Sequence, residues 1–179
     1  MPQNLGRGLV HIYTGEGKGK TTAAMGLACR AAGWGWKVSI VQFFKSVSGE
    51  KRFFEKLPNV AYAQFTCQAS YFRKYSPADF RKVQDKFYEF WEKFLGEFER
   101  EPPDLLVLDE ASYLFSDKVC EPGLMAAFLD SKPAGTEIVM TGRDFPNALL
   151  ERADYVTDMR MVRHPYRDRQ AQARKGIEF

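Results

Sequence analysis

Short apolar runs alternate with stretches of helical periodicity along most of the chain. Leu9–Tyr13, Val38–Phe44, Val60–Phe65, Leu105–Leu108, Glu137–Thr141 and Tyr155–Met159 read as strands, since brief apolar runs bounded by turn residues suit buried strands. Within Val60–Phe65 the residues Ala61, Ala63 and Phe65 share one side. Thr21–Ala32 is alanine-rich and reads as a helix ending at Gly33. The longest helix is expected over Pro77–Glu99: Ser76 caps it, Pro77 takes the first helical position, and Asp79 completes a pattern close to a capping box. Along that helix Phe80, Val83, Phe87, Phe90, Trp91, Phe94 and Phe98 recur at steps of three and four. Such periodicity predicts core packing rather than an aromatic cofactor box.

Strands alternating with helices imply an α/β fold, a mostly parallel sheet flanked by helices on both faces. Ligands of such sheets bind beyond the carboxyl ends of the strands, so the loops there hold the candidate chemistry.

A length of 179 residues fits a single domain over 1–179, with 1–7 and roughly 160–179 as flanking segments. A formal charge of +3 gives no case for nucleic-acid or bulk membrane binding. The apolar runs are all too short to span a bilayer, and Met1–Asn4 does not open a signal segment. Cys29, Cys67 and Cys120 are widely spaced and form no CxxC pair. That suggests neither a zinc knuckle nor a disulfide framework, and a reduced, cytoplasmic protein is the simplest reading.

Between the first strand and the first helix stands Thr14-Gly15-Glu16-Gly17-Lys18-Gly19-Lys20-Thr21-Thr22. Its end matches the phosphate-loop pattern G-x-x-x-x-G-K-[ST], with Thr14 where the first glycine is usual. Glycines let backbone N–H groups close on an anion without Cβ clashes. The helix start adds its positive end. Lys20 brings a point charge, and the Thr21 hydroxyl is a magnesium ligand of the right kind. Glu16 is discordant in such a loop: it is expected either to point to solvent or to share a metal.

The Leu105–Leu108 strand runs into Asp109-Glu110. Acids at the end of an apolar strand resemble a Walker B element, where either carboxylate can hold magnesium directly or through water. The pair of motifs gives a P-loop NTPase-like, RecA-like, fold.

Taken together, the motifs resemble the P-loop family of ATP:corrinoid adenosyltransferases. The resemblance runs from Arg7-Gly8-Leu9 through Thr14–Ala24, Val41-Gln42-Phe43-Phe44-Lys45 and Leu106–Glu110. It continues at Thr141-Gly142-Arg143 and Ala153–Thr157, and ends at Ala171-Gln172-Ala173-Arg174-Lys175-Gly176-Ile177-Glu178-Phe179. It implies that the cobalt(I) of a reduced corrinoid attacks the 5′ carbon of ATP and that the whole triphosphate leaves. ATP lies reversed across the loop in family members. Carried over by position, Gly15 to Thr22 cradle the triphosphate, Thr21 and Glu110 hold Mg2+, and Arg30 contacts the nucleotide. Lys20, Thr21 and Glu110 are then the residues of catalysis. The resemblance also implies a homodimer and a flavoprotein or similar reductant.

Some relatives carry Gly-Phe-Thr-Trp after the third strand, whose aromatics help expel the lower cobalt ligand. Here the nearest stretch is Gln68–Arg73, where Tyr71 and Phe72 either face the corrinoid or simply anchor the loop. Arg143, at a strand's carboxyl end, meets phosphate or forms a structural ion pair. Arg160, Arg163, Arg167, Arg169, Arg174 and Lys175 form either a flap over the phosphates or a solvated tail. His11 reads as a core or strand residue rather than a ligand. A kinase or ATPase, or a nucleotide-gated corrinoid carrier, is the alternative on the same fold.

Overall fold

A computed structural model describes residues 6–45, 47–66, 76–165 and 172–178. Its elements are β1 (Val10–Thr14), α1 (Lys20–Gly33), β2 (Val38–Phe43), α2 (Gly49–Phe54), β3 (Val60–Phe65) and α3 (Pro77–Arg100). There follow β4 (Leu105–Asp109), α4 (Tyr113–Ser116), α5 (Pro122–Ser131), β5 (Glu137–Thr141), α6 (Asn147–Leu150) and β6 (Tyr155–Asp158). Each expected strand is present, with its ends moved by no more than one residue.

All strand pairings are parallel, and the order across the sheet is β3-β2-β4-β5-β1-β6. The order matters more than the count: β5 lies between β1, which leads into the phosphate loop, and β4, which leads into the acids. The carboxyl end of β5 therefore reaches both motifs.

Because side chains alternate across a strand, the apolar runs feed two cores. Leu106 and Leu108 of β4 face a layer built from α3, α4, α5 and α6, while Leu105 and Val107 face α1 and α2. The aromatic stripe of α3 fills the first of these. Val83, Phe87, Trp91, Phe94 and Phe98 are buried there, and Phe128 of α5 packs edge-on against Trp91 at 5.2 Å. The stripe is core, as its period predicts. Trp91 Nε1 finds no hydrogen-bond partner among the described residues.

Capping of α3 follows its sequence: Ser76 Oγ accepts the Asp79 backbone N–H at 3.2 Å, and Pro77 holds the first turn. On the other flank, His11 of β1 pairs with Glu137 of β5 at 2.5 Å and stacks on Tyr155 of β6. It braces neighbouring strands, which is the strand role expected of it. No helix among the described residues is long and apolar enough to cross a membrane.

Candidate functional site: a phosphate loop facing a lysine-bridged acid pair

The loop after β1 is shaped by what lies beneath it. Gly15 has φ +95°, and a Cβ there would lie 1.9 Å from Asp158 Oδ1. A Cβ on Gly17 would lie 2.4 Å from the Met159 carbonyl oxygen, to which the Gly17 N–H donates at 2.5 Å. The loop is thus pressed onto the end of β6, and only glycine fits both places. Arg143, just past β5, supports the other side, since its carbonyl accepts the Gly15 N–H at 3.2 Å and also the Thr14 hydroxyl.

Lys20 folds back over this loop. Its ammonium donates to the carbonyls of Gly15 at 2.6 Å and Gly17 at 2.8 Å. Burial lowers its pKa, and Glu110 opposes that shift.

Facing the loop, Asp109 ends β4 fully buried. Its Oδ1 accepts from the Thr141 hydroxyl at 2.7 Å. Its Oδ2 accepts from Gln42 Nε2 and from the Lys45 ammonium, each at 2.9 Å. Burial would raise this carboxyl; the Lys45 charge and the three donors outweigh burial and hold it below its usual range. Gln42 is itself placed by Tyr62 and Gln64, which both donate to its Oε1 at 3.0 Å.

Glu110 follows in the left-handed region, at φ 60°. Its N–H donates to Thr141 Oγ1 at 3.0 Å, so one β5 hydroxyl fixes both acids. Burial raises the Glu110 carboxyl, against the pull of Lys45. Lys45 bridges the two motifs. Beside Asp109, its ammonium lies 3.1 Å from the Thr21 hydroxyl and 3.6 Å from Glu110 Oε1. Burial would lower its pKa, but Asp109 and Glu110 raise it overall. The ammonium therefore stays charged among three oxygen-bearing side chains.

These groups open on one cleft of about 330 Å³, lined by Glu16, Gly17, Lys18, Gly19, Lys20, Thr21 and Thr22 together with Lys45, Glu110, Tyr113 and Arg143. Glu110 lines it and Asp109 does not. Asp109 spends both oxygens on protein donors, so Glu110 is the carboxylate open to a ligand. The donor set suits a hard divalent cation: a hydroxyl and a carboxylate already converge on a positive charge. Among the described residues no group of three or more His, Cys, Asp or Glu could hold a metal. A cation here would need oxygens from a bound phosphate and water, as magnesium commonly does.

Glu16 is exposed and pairs with Arg143 at 3.2 Å beside the cleft. The chain's end does reach the loop: Lys18 pairs with Glu178 at 2.8 Å, and Ile177 and Glu178 line the cleft. In this segment an acid touches the loop, while Arg174 binds the same Glu178 at 3.1 Å. Arg30 lies exposed near the far end of α1, about 15 Å along the helix from Lys20, and does not line the cleft. Tyr71, Phe72, Arg167 and Arg169 lie outside the described residues.

Gln42, Lys45, Thr141 and the Asp158–Met159 step carry weight that sequence reasoning did not give them. Gln42 had a signal, being the one amide in an otherwise buried apolar run. The others depend on strand order, which the sequence does not spell out.

A larger groove, of about 630 Å³, runs by Lys37, Ser39, Asn59, Ala61, Phe94 and Phe98 at the amino ends of the strands. It lacks the loop, the helix start and the acids, and it lies away from where parallel sheets bind ligands.

Comparison with known proteins gives the family. Residues 6–179 match the family described as ATP:corrinoid adenosyltransferase BtuR/CobO/CobP. The chain belongs to the corrinoid adenosyltransferase family. It is an enzyme of that class. The corrinoid adenosyltransferase of Pseudomonas aeruginosa is 32% identical over 97% of this chain and 84% of its own length. That of Escherichia coli K12 is also 32% identical, over 97% of this chain and 86% of its own. Among solved structures, the cytoplasmic domain of EssC superposes with a TM-score of 0.52 at 17% identity, covering 94% of this chain and 36% of that one. At that identity the likeness concerns the fold alone.

Proposed function

We propose that this adenosyltransferase moves the 5′-deoxyadenosyl group of ATP onto the cobalt(I) of a corrinoid substrate. The cobalt electron pair forms the new bond to C5′. The C5′–O bond breaks, and its electrons leave with triphosphate. The cobalt is the nucleophile, so the protein's task is to position two substrates and neutralise a long polyanion.

The observation that carries this reading is the convergence of the loop, Lys20, Thr21, Glu110 and Arg143 on one cleft in a chain of this family. The N–H groups of the Gly15–Thr22 loop and the start of α1 cradle the phosphates. Lys20 exchanges its loop carbonyls for phosphate oxygens. Arg143 exchanges Glu16 in the same way. Thr21 and Glu110 hold Mg2+, which when bound screens the charge of the leaving triphosphate. Asp109 stays behind them, held by Thr141 and Gln42. Tyr71 and Phe72 are the proposed residues on the corrinoid side, and a flavoprotein or similar donor keeps the cobalt reduced.

The test is anaerobic. Protein, magnesium-ATP and chemically reduced cob(I)alamin are mixed, the corrinoid spectrum is followed, and the released phosphate species is identified. Adenosylcobalamin with tripolyphosphate is the expected result. ADP without a cobalt–carbon product, with a precursor corrinoid tried as well, points to a kinase or ATPase. Binding of both ligands without reaction points to a carrier.

A further inference from the structure

Lys45 was not among the residues expected at this site, yet its ammonium is the group on which the two halves of the site meet. It lies 2.9 Å from Asp109 Oδ2, 3.1 Å from Thr21 Oγ1 and 3.6 Å from Glu110 Oε1. The Thr21 and Glu110 oxygens are those that a divalent cation seated between the loop and the acids would approach. We propose that Lys45 is a resident counter-ion in that seat, and that it makes divalent-cation binding conditional on nucleotide. The inference rests on the reading of Thr21 and Glu110 as the cation ligands.

The physical case has three parts. First, a metal and an ammonium cannot share these oxygens. Two positive groups a few ångströms apart in a part-buried site repel strongly, with little screening by salt. Second, the protein cannot leave the seat empty. Asp109 is fully buried, and a buried carboxylate without a counter-charge is costly. Lys45 meets that need when no ligand is bound. Third, Lys45 has somewhere to go. Its side chain is 27% exposed and lines the same cleft as the loop. A lysine is a compact charge on a flexible four-carbon stem, so it can swing within the cleft.

What makes the swing favourable is an anion. A polyphosphate on the loop offers the ammonium a new partner and supplies the oxygens that complete the metal's shell. Nucleotide and metal therefore replace Lys45 together. Metal alone must displace it without compensation. The device guards a seat built of oxygen ligands against stray cations until the substrate arrives.

The test is binding of Mn2+, a paramagnetic substitute for Mg2+, read from the signal of free Mn2+ by electron paramagnetic resonance. It is run with and without ATP and without any corrinoid. Lys45→Met removes the charge at nearly constant length. Without ATP it is expected to bind Mn2+ at least about tenfold more tightly than the wild type, the scale of one charge removed from a part-buried seat. Lys45→Met combined with Glu110→Gln should lose that gain. With ATP present, the wild type and Lys45→Met should bind Mn2+ within a few-fold of each other. Should Lys45→Met fail to fold, Lys45→Gln, which keeps a donor for Asp109, gives the same reading.

Equal Mn2+ affinity of the wild type and the variant without ATP overturns the proposal; if ATP still brings Mn2+ to both, the assignment of Thr21 and Glu110 stands. Absence of Mn2+ from the wild type even with ATP removes the seat itself, and the proposal with it. A gain that survives Glu110→Gln also overturns it, because the metal then binds elsewhere.

Discussion

The Thr141 hydroxyl donates to Asp109 Oδ1 at 2.7 Å, across the boundary between β5 and β4. Thr141 Oγ1 in turn accepts the Glu110 N–H, so one side chain aligns a buried acid and an open one. Thr141→Val keeps the shape and removes the hydroxyl. It should cost about 1–3 kcal/mol of stability, the usual range for a buried polar group left without its partner. Urea denaturation measures that. Turnover should fall as well, because Glu110 loses the anchor of its left-handed turn. Full activity with a lowered midpoint would confine Thr141 to a structural role.

Lys20→Ala removes the ammonium and both bonds that close it over the loop. A charge-assisted hydrogen bond contributes about 1.5–3 kcal/mol, so ATP should bind about 10- to 100-fold more weakly. Isothermal titration without corrinoid separates this from catalysis, and adenosylation should be nearly lost. Normal affinity and rate would remove the loop from the mechanism.

For Gly15→Ala the backbone and the neighbour agree. The φ of +95° disfavours any side chain, and the new methyl would meet Asp158. The left-handed penalty alone is about 1–2 kcal/mol, and the clash adds to it. Stability should drop by more than about 2 kcal/mol, with loss of ATP binding. A well-folded variant with intact binding would show that the loop can lift off β6 and still work.

Stability should follow pH in a way that separates the charged groups. Asp109 is held below its ordinary 3.8. Between the two values the unfolded chain holds the proton and the folded one does not, so stability rises with pH there. That contribution is complete above 3.8 and is lost as pH falls through the folded value. Lys45 is held above its ordinary 10.5; its contribution is complete below 10.5 and is lost as pH rises through the folded value. Glu110 shares the sense of Lys45 and opposes that of Asp109. It is held above 4.5, so ionising it lowers stability as pH climbs from 4.5 through the folded value. Lys45→Met should lose about 3–5 kcal/mol at pH 7, since it leaves Asp109 buried without its counter-charge. Denaturation curves at stepped pH, wild type beside variant, check all three signs.

Trp91 offers a test of the core. Its ring is packed among phenylalanines, and its Nε1 has no partner among the described residues. Trp91→Phe gives up ring area but also removes the unpaired N–H. It should cost about 1 kcal/mol or less, against about 3–5 kcal/mol for Trp91→Ala. Thermal denaturation of the pair distinguishes them.

The sequence revealed most where structure is encoded locally. A phosphate loop is a run of consecutive residues whose glycines, lysine and threonines state their own geometry, and Ser76-Pro77 states the start of α3. The shorter helices were harder to see. α4 and α6 span single turns, too short for a period to show, and Pro122–Ser131 is so apolar that no polar face marks it as a helix. The second half of the site was hardest of all. Lys45 follows an ordinary buried strand, and nothing in its neighbours says that β4, made sixty residues later, will lie alongside. Likewise the meeting of Gly17 with Met159 follows from β6 joining the sheet next to β1.

That last pairing shapes how the protein is made. Of the described strands β1 leaves the ribosome first, and both of its neighbours, β5 and β6, leave after the other three. Until they emerge, the loop has neither the Arg143 carbonyl nor the Met159 carbonyl to rest on. The segment that reads most plainly in the sequence must therefore wait, unsupported, for nearly the whole chain. Contacts of such long sequence separation form late and slowly. Nascent or truncated chains that stop short of β6 will carry an intact phosphate-loop motif and no working cleft.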